Sequence, residues 1–156
     1  MLLCSDVRVI SDVSACGLNE VALGIPVPGY WARLMARVVG EGPASTLCLG
    51  GAMVPSLRCV ELGLADVAVP CSLVVSEAEG RVRRLLRMPD QGRAATKELM
   101  RGEFARAWIA QAGREAEYGW GQLEAPAAVA SLKAVFDRLG AGKKRERGGP
   151  GARARL

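Results

Sequence analysis

The chain has 156 residues, half of them hydrophobic, which is enough for one domain with a real core and too apolar for general disorder. Its formal charge of +5 comes from the basic, glycine-rich stretch after Leu139, and residues 1–139 are neutral overall, so the sequence offers little support for a nucleic-acid-binding face. The absence of histidine removes Ser-His-Asp and Cys-His catalysis, and five cysteines without CxxC spacing argue against a metal site.

Cys4, Cys16, Cys48, Cys59 and Cys71 read instead as small buried thiols in a reducing compartment. Acid–base chemistry near neutral pH would then fall to a carboxylate, lysine, tyrosine or cysteine. No apolar run is long enough to span a bilayer; the longest, around Val67–Val75, contains Pro70. The opening MLLCSDVRVIS has Asp6 where a signal peptide should stay apolar, and it lacks a basic start. It reads as though already inside a fold.

In chain order, Val7, Val9 and Ser11 alternate with Arg8 and Ile10, which predicts a short strand. A loop or strand carrying GLNE, residues 17–20, follows. Tyr30, Trp31, Leu34, Met35, Val38 and Val39 recur at helical spacing up to Gly40. A second helix should have Pro43 in its first turn and stop at Gly50; no GK[ST] or GxGxxG accompanies Gly50-Gly51, so this is a helix stop and not a phosphate loop. Ser56 is positioned to cap a third helix ending at Gly63, and Val67–Val69 resumes as a strand. Ser76 and Glu79 suggest a capping box inside a helix reaching Arg87. From Gly92 to Leu123 the pattern is helical, with Leu99, Met100, Phe104, Trp108 and Ile109 as a broad apolar face and breaks or a bend expected at Gly113 and Gly119. Pro126 opens a last amphipathic helix carrying Val129, Leu132, Phe136 and Leu139. So few strands cannot form a stable sheet alone, so further strands must come from elsewhere.

One residue in this sequence lacks an obvious purpose. Glu20 sits in an uncharged apolar stretch, with Arg8 and Arg33 as its nearest cations in sequence. An unpaired carboxylate is costly to bury.

The stretches LLCSDVRVISD, GLNEVALGIPVPGYW, LCLGGAMVPSLRCVELGLADVAVP, ATKELMR and APAAVASLKAVFDRL, taken together, resemble the C-terminal part of the crotonase superfamily, the enoyl-CoA hydratases and isomerases. GLNE followed by LGI is most like the Δ3,Δ2-enoyl-CoA isomerase branch (dodecenoyl-CoA isomerase). GLADVAVP resembles a stretch found across the whole superfamily. The resemblance implies an α/β crotonase-like ββα spiral, cut down to a few strands and a mainly helical C-terminal region. Residues 1–90 would belong to the core, 91–139 to a helical trimerisation region, and 140–156 to a disordered basic tail.

The resemblance also gives Glu20 a role as the single acid–base residue. It would take a proton from C2 of a 3-enoyl-CoA and return it at C4. Apolar walls from Leu18, Leu23, Ile25, Val27 and Trp31 would keep that proton from water. Lys97 and Lys133, with Arg101 and Arg138 nearby in sequence, are weaker candidates for the phosphates of coenzyme A; solvated charge is the plainer reading of these four. No cofactor is implied beyond the coenzyme A of the substrate. The two backbone N–H donors that stabilise the thioester enolate in this family would precede Met1, which implies an impaired enzyme.

Three alternatives stay open: a hydratase, a non-catalytic assembly module, and a gene model that starts late. The expected partners are an acyl-CoA and copies of the chain in a trimer or hexamer, with no nucleic acid and no membrane span. The last residues, Ala154-Arg155-Leu156, resemble a peroxisomal address. A mitochondrial location is the other one known for the family.

Overall fold

The computed structural model describes residues 2–147, with side chains described as far as Arg138. Among the described residues there are four short strands and six α-helices, with short 3₁₀ turns before and between them. They are β1 (Val9–Ser11), β2 (Ala15–Cys16), α1 (Gly29–Val39), α2 (Glu41–Gly50), β3 (Val54–Pro55), α3 (Ser56–Glu61), β4 (Val67–Val69), α4 (Val74–Leu85), α5 (Asp90–Glu124) and α6 (Pro126–Arg147). The GLNE segment, expected as loop or strand, enters a single 3₁₀ turn over Glu20–Leu23.

The strands form two separate pairs. β1 and β4 run parallel, with Val9 opposite Val67, Ile10 opposite Ala68 and Ser11 opposite Val69. A parallel pair needs a crossover, and here β2, α1, α2, β3 and α3 supply it. Arg8 and Asp66 brace the entrance to this pair. The Arg8 backbone N–H donates to Asp66 Oδ2 at 2.7 Å, and its guanidinium meets Oδ1 at 2.7 Å. α4 packs against β1. β2 and β3 pair antiparallel, Ala15 opposite Pro55 and Cys16 opposite Val54.

The core forms where α1 and α2 meet these strands. Met35, Cys59 and Leu64 are fully buried, with Ile10, Ala44, Cys48, Val54 and Ala65 around them. Burying a side chain the size of Met35 or Leu64 contributes about 1.5–3 kcal/mol. Of the five thiols expected to be buried, only Cys48 and Cys59 are; Cys16 is half-buried, and Cys4 and Cys71, on short 3₁₀ turns outside the core, are exposed. The Cys48 thiol lies 3.7 Å from Met35 Sδ, so sulfur-bearing groups fill the space between α1 and α2.

Both expected serine caps are corrected. Pro55 occupies the cap position of α3, and Ser56 Oγ donates to the Asp12 carbonyl at 2.6 Å, stitching the β2–β3 pair to the end of β1. Another 3₁₀ turn, Cys71–Leu73, leads straight into α4, so the helix starts at Val74, two residues before Ser76. Ser76 Oγ then donates to the Leu73 carbonyl, and Glu79 pairs with Arg83 instead of closing a capping box.

The expected breaks in the next helix are also absent: α5 runs unbroken for 35 residues, through Gly113 and Gly119. An exposed glycine costs a helix about 1 kcal/mol, too little to interrupt one anchored on both sides. Its apolar face is divided. Phe104 and Trp108 form a cluster with Tyr30 of α1, ring centroids 5.5 to 5.9 Å apart, while Leu99, Met100 and Ile109 stay exposed. Beyond Gly140, where a tail was expected, α6 continues to Arg147; Ala154-Arg155-Leu156 lies outside the described residues. Among the described residues no helix is long and apolar enough to cross a membrane.

Candidate active site

Glu20 opens the 3₁₀ turn directly after Asn19. The Ile25 N–H returns to the Glu20 carbonyl at 3.2 Å, and the Gly24 N–H reaches Val21 O at 3.1 Å. The reversal requires Gly24 at φ +77°, a left-handed conformation costly for any residue with a Cβ.

Two helices press on this turn. A Cβ on Gly24 would lie 2.9 Å from Ser131 Oγ, and Ala128 of α6 is buried beside it. A Cβ on Gly51, just past α2, would lie 3.1 Å from the Ala22 nitrogen. Small residues therefore let α2 and α6 approach the backbone that carries Glu20.

The Glu20 side chain is half-buried, and its Oε2 is buried with no hydrogen-bond partner among the described residues. Neither nearby cation in sequence compensates it. Arg8 is bound to Asp66, and Arg33 lies over the Tyr30 ring, 5.0 Å from its centroid. Cys48 of α2 feels Glu20 directly. Burial pushes its thiol pKa up, and the Glu20 charge pushes it further. The arrangement is a carboxylate oxygen stripped of water, with a neutral thiol as the nearby polar group. Such a carboxylate can accept and return a proton without competing for it with a cation.

The expected apolar neighbours are distributed unevenly. Leu18 and Val27 pack against the core cluster, and Leu23 and Ile25 are half-buried on either side of Gly24. Trp31 is 41% exposed. Val27 also lines a separate cleft between the start of α1 and the middle of α5.

The coenzyme A candidates are far apart in character. Lys97 Nζ lies 2.6 Å from Asp6 Oδ2, with Arg101 at 2.6 Å from Oδ1 of the same carboxylate. The Lys97 hydrogen bond is the main influence holding the Asp6 carboxyl below its ordinary pKa, against the opposing effect of partial burial. Lys133 and Arg138 are both exposed on α6. Among the described residues no three His, Cys, Asp or Glu gather into a metal-holding group.

Sequence reading missed two side chains. Asp6 collects two cations from more than 90 positions away, and Glu115 Oε1 accepts the Tyr30 N–H at 2.7 Å, capping α1 from across the molecule. No spacing rule predicts either. For Glu115 the only hint was α1 itself, which starts at Pro28-Gly29 with no capping side chain of its own.

The parallel pair, its helical crossover and the helices after it make up part of a crotonase-like α/β fold. A family model described as enoyl-CoA hydratase/isomerase matches residues 1–120, and the chain belongs to that family. It is similar to mitochondrial enoyl-CoA delta isomerase 1 of Mus musculus, 32% identical over 119 residues, covering 75% of this chain and 40% of that protein. The Homo sapiens protein of the same name is 26% identical over 136 residues, covering 86% of this chain and 45% of that one. Among solved structures, human mitochondrial Δ3-Δ2-enoyl-CoA isomerase superposes with a TM-score of 0.82 at 27% identity, over 90% of this chain and 55% of that chain. Carnitinyl-CoA hydratase from Mycobacterium avium, at TM-score 0.78 and 20% identity over 88% of this chain and 54% of that chain, shares the fold. The chain thus spans about half the length of these relatives.

Proposed function

We propose that this chain carries the acid–base half of an enoyl-CoA Δ3,Δ2-isomerase site, with Glu20 as the residue that moves the proton. The observation that supports this most is the buried, unpartnered Oε2 of Glu20 within GLNE. An acyl thioester bound over the turn would present C2 to the Glu20 carboxylate. Glu20 removes the C2 proton, the electron pair delocalises into the thioester as an enolate, and the same carboxyl returns the proton at C4. The double bond moves from C3–C4 to C2–C3, and atoms and charge balance. Leu18, Leu23, Ile25, Val27 and Trp31 would exclude water, and Lys97 and Lys133 would be the places to look for phosphate contacts.

The enolate needs two N–H donors that the family resemblance puts ahead of the matched segment. Loss of one such donor costs about 10²–10³ in rate, so residues 1–156 assayed alone should turn over 3-enoyl-CoA slower than a full-length isomerase by at least that factor. Grafting the chain behind the front part of the mouse relative should restore activity. In that graft Glu20→Gln should lower kcat by more than about 10³ with little change in KM. Isomerisation that survives Glu20→Gln in the active graft overturns the proposal, whereas water addition in place of double-bond migration would reassign the chain to hydratase chemistry.

Assembly is a second reading, favoured by Leu99, Ile109 and Phe136, each at least 70% exposed. On this reading the chain forms trimers with itself or with full-length relatives. Light scattering on the purified protein, alone and mixed with a full-length relative, decides it: a defined trimer in either supports assembly, and a dilution-insensitive monomer in both refutes it. The names of the mammalian relatives support a mitochondrial site of action, and the final tripeptide supports a peroxisomal one. Imaging an N-terminally tagged chain with and without Ala154-Arg155-Leu156 separates these two addresses.

A further inference from the structure

The cleft between the start of α1 and the middle of α5 shares only Val27 with the residues of the proton-transfer reading. Its volume is about 640 Å³, and its walls include Pro28, Tyr30, Arg33, Gln111, Arg114 and Tyr118. Most arginines elsewhere sit against a carboxylate, as Arg8, Arg58, Arg81 and Arg101 do. Among the described residues Arg33 and Arg114, like Arg37 and Arg87, have no acidic partner within 4 Å, and these two alone share the walls of this cleft. Arg33 is instead held over the Tyr30 ring, which itself stacks on Trp108 at 5.9 Å.

The cleft also contains one acid, Glu115, but that carboxylate is committed. Its Oε1 accepts the Tyr30 N–H at the uncapped start of α1, which anchors the cleft wall and offsets the helix dipole. Two guanidinium groups against one engaged carboxylate leave the opening net positive. Guanidinium forks are shaped for two-oxygen anionic groups, and Tyr118 and Pro28 offer an apolar surface beside them.

We propose that this cleft is a binding site for a small aromatic anion, whose phosphate or carboxylate oxygens meet Arg33 and Arg114 while its ring lies against Pro28 and Tyr118. The site is independent of Glu20, so its test does not depend on isomerase activity.

The experiment is calorimetric titration of the chain with phenyl phosphate, benzoate and uncharged phenol. Phenyl phosphate or benzoate should bind at least about tenfold tighter than phenol, and their ranking separates phosphate from carboxylate preference. Arg114→Gln and Arg33→Gln should each weaken the preferred anion about tenfold, while Arg58→Gln, on the remote α3, should leave it unchanged. Circular dichroism confirms that each variant is folded, and these substitutions fall on exposed side chains. Absence of anion binding at millimolar concentration overturns the site. So does phenol binding as tightly as the anions, or an Arg58→Gln loss equal to that of Arg114→Gln, which would mean diffuse attraction to a basic surface.

Discussion

Asp6 shows what a single side chain can do at the edge of this fold. It lies between Lys97 and Arg101, both carried on α5, and thereby ties the start of the chain to its longest helix. The lowered pKa of Asp6 means that the pair stabilises the folded state above the ordinary carboxylate value and loses that contribution as pH falls through the folded value. Asp6→Asn should therefore lower the melting temperature slightly at pH 7, with the gap from wild type closing below about pH 4. The effect is small because the carboxylate is 38% exposed. A gap that widens in acid would contradict the assignment. Glu20 is the counterpart, a carboxylate whose buried oxygen has been given no partner at all. Its isolation from cations was readable in the sequence, because none lay near it. Its closeness to Cys48 was not, because that depends on how α2 folds back onto the turn.

Among the elements, glycine gives a clean contrast. Gly24 adopts φ +77° and faces Ser131, so Gly24→Ala should destabilise by more than about 1 kcal/mol and disturb the Glu20 turn. Gly113 sits inside α5 with open space around its Cα, so Gly113→Ala should stabilise by about 0.5–1 kcal/mol. Denaturant titration of the two variants reads both signs in one experiment, and equal signs would refute the geometry. These opposite roles explain what sequence alone could resolve. The periodicity of α1, the stops at Gly40 and Gly50, and the strand at Val67–Val69 were legible because each is a local signal. The start of α4 and the uninterrupted course of α5 were not. The first depends on a preceding 3₁₀ turn, and the second on anchors at Asp6, Tyr30 and Arg37 that lie far away in sequence.

On the scale of the whole molecule, two separate two-stranded pairs and a long helical arm leave much apolar surface uncovered. Leu49, Leu57 and Val13 on the body are 71% to 85% exposed, comparable with Leu99 and Ile109 of α5. If those surfaces meet in assembled copies, the melting temperature of the isolated chain should rise with protein concentration over the micromolar range. A midpoint independent of concentration would count against self-association. The fold family was legible in the sequence because its stretches occur in the right order. The way the arm lies over the body was not, since it is held by a handful of contacts between residues 63 to 95 positions apart.

The unbroken course of α5 also fixes how many residues it must contain. It starts beside Asp6 and hands over to α6, which must arrive with Ser131 against Gly24. One inserted residue beyond the last anchor would rotate everything downstream by about 100°, turning Ser131 away from its seat. Seven inserted residues would nearly restore the angle but overshoot along the axis by about 10 Å. Neither insertion lets the last helix find the glutamate turn again, so this arm should tolerate altered side chains far better than an altered count.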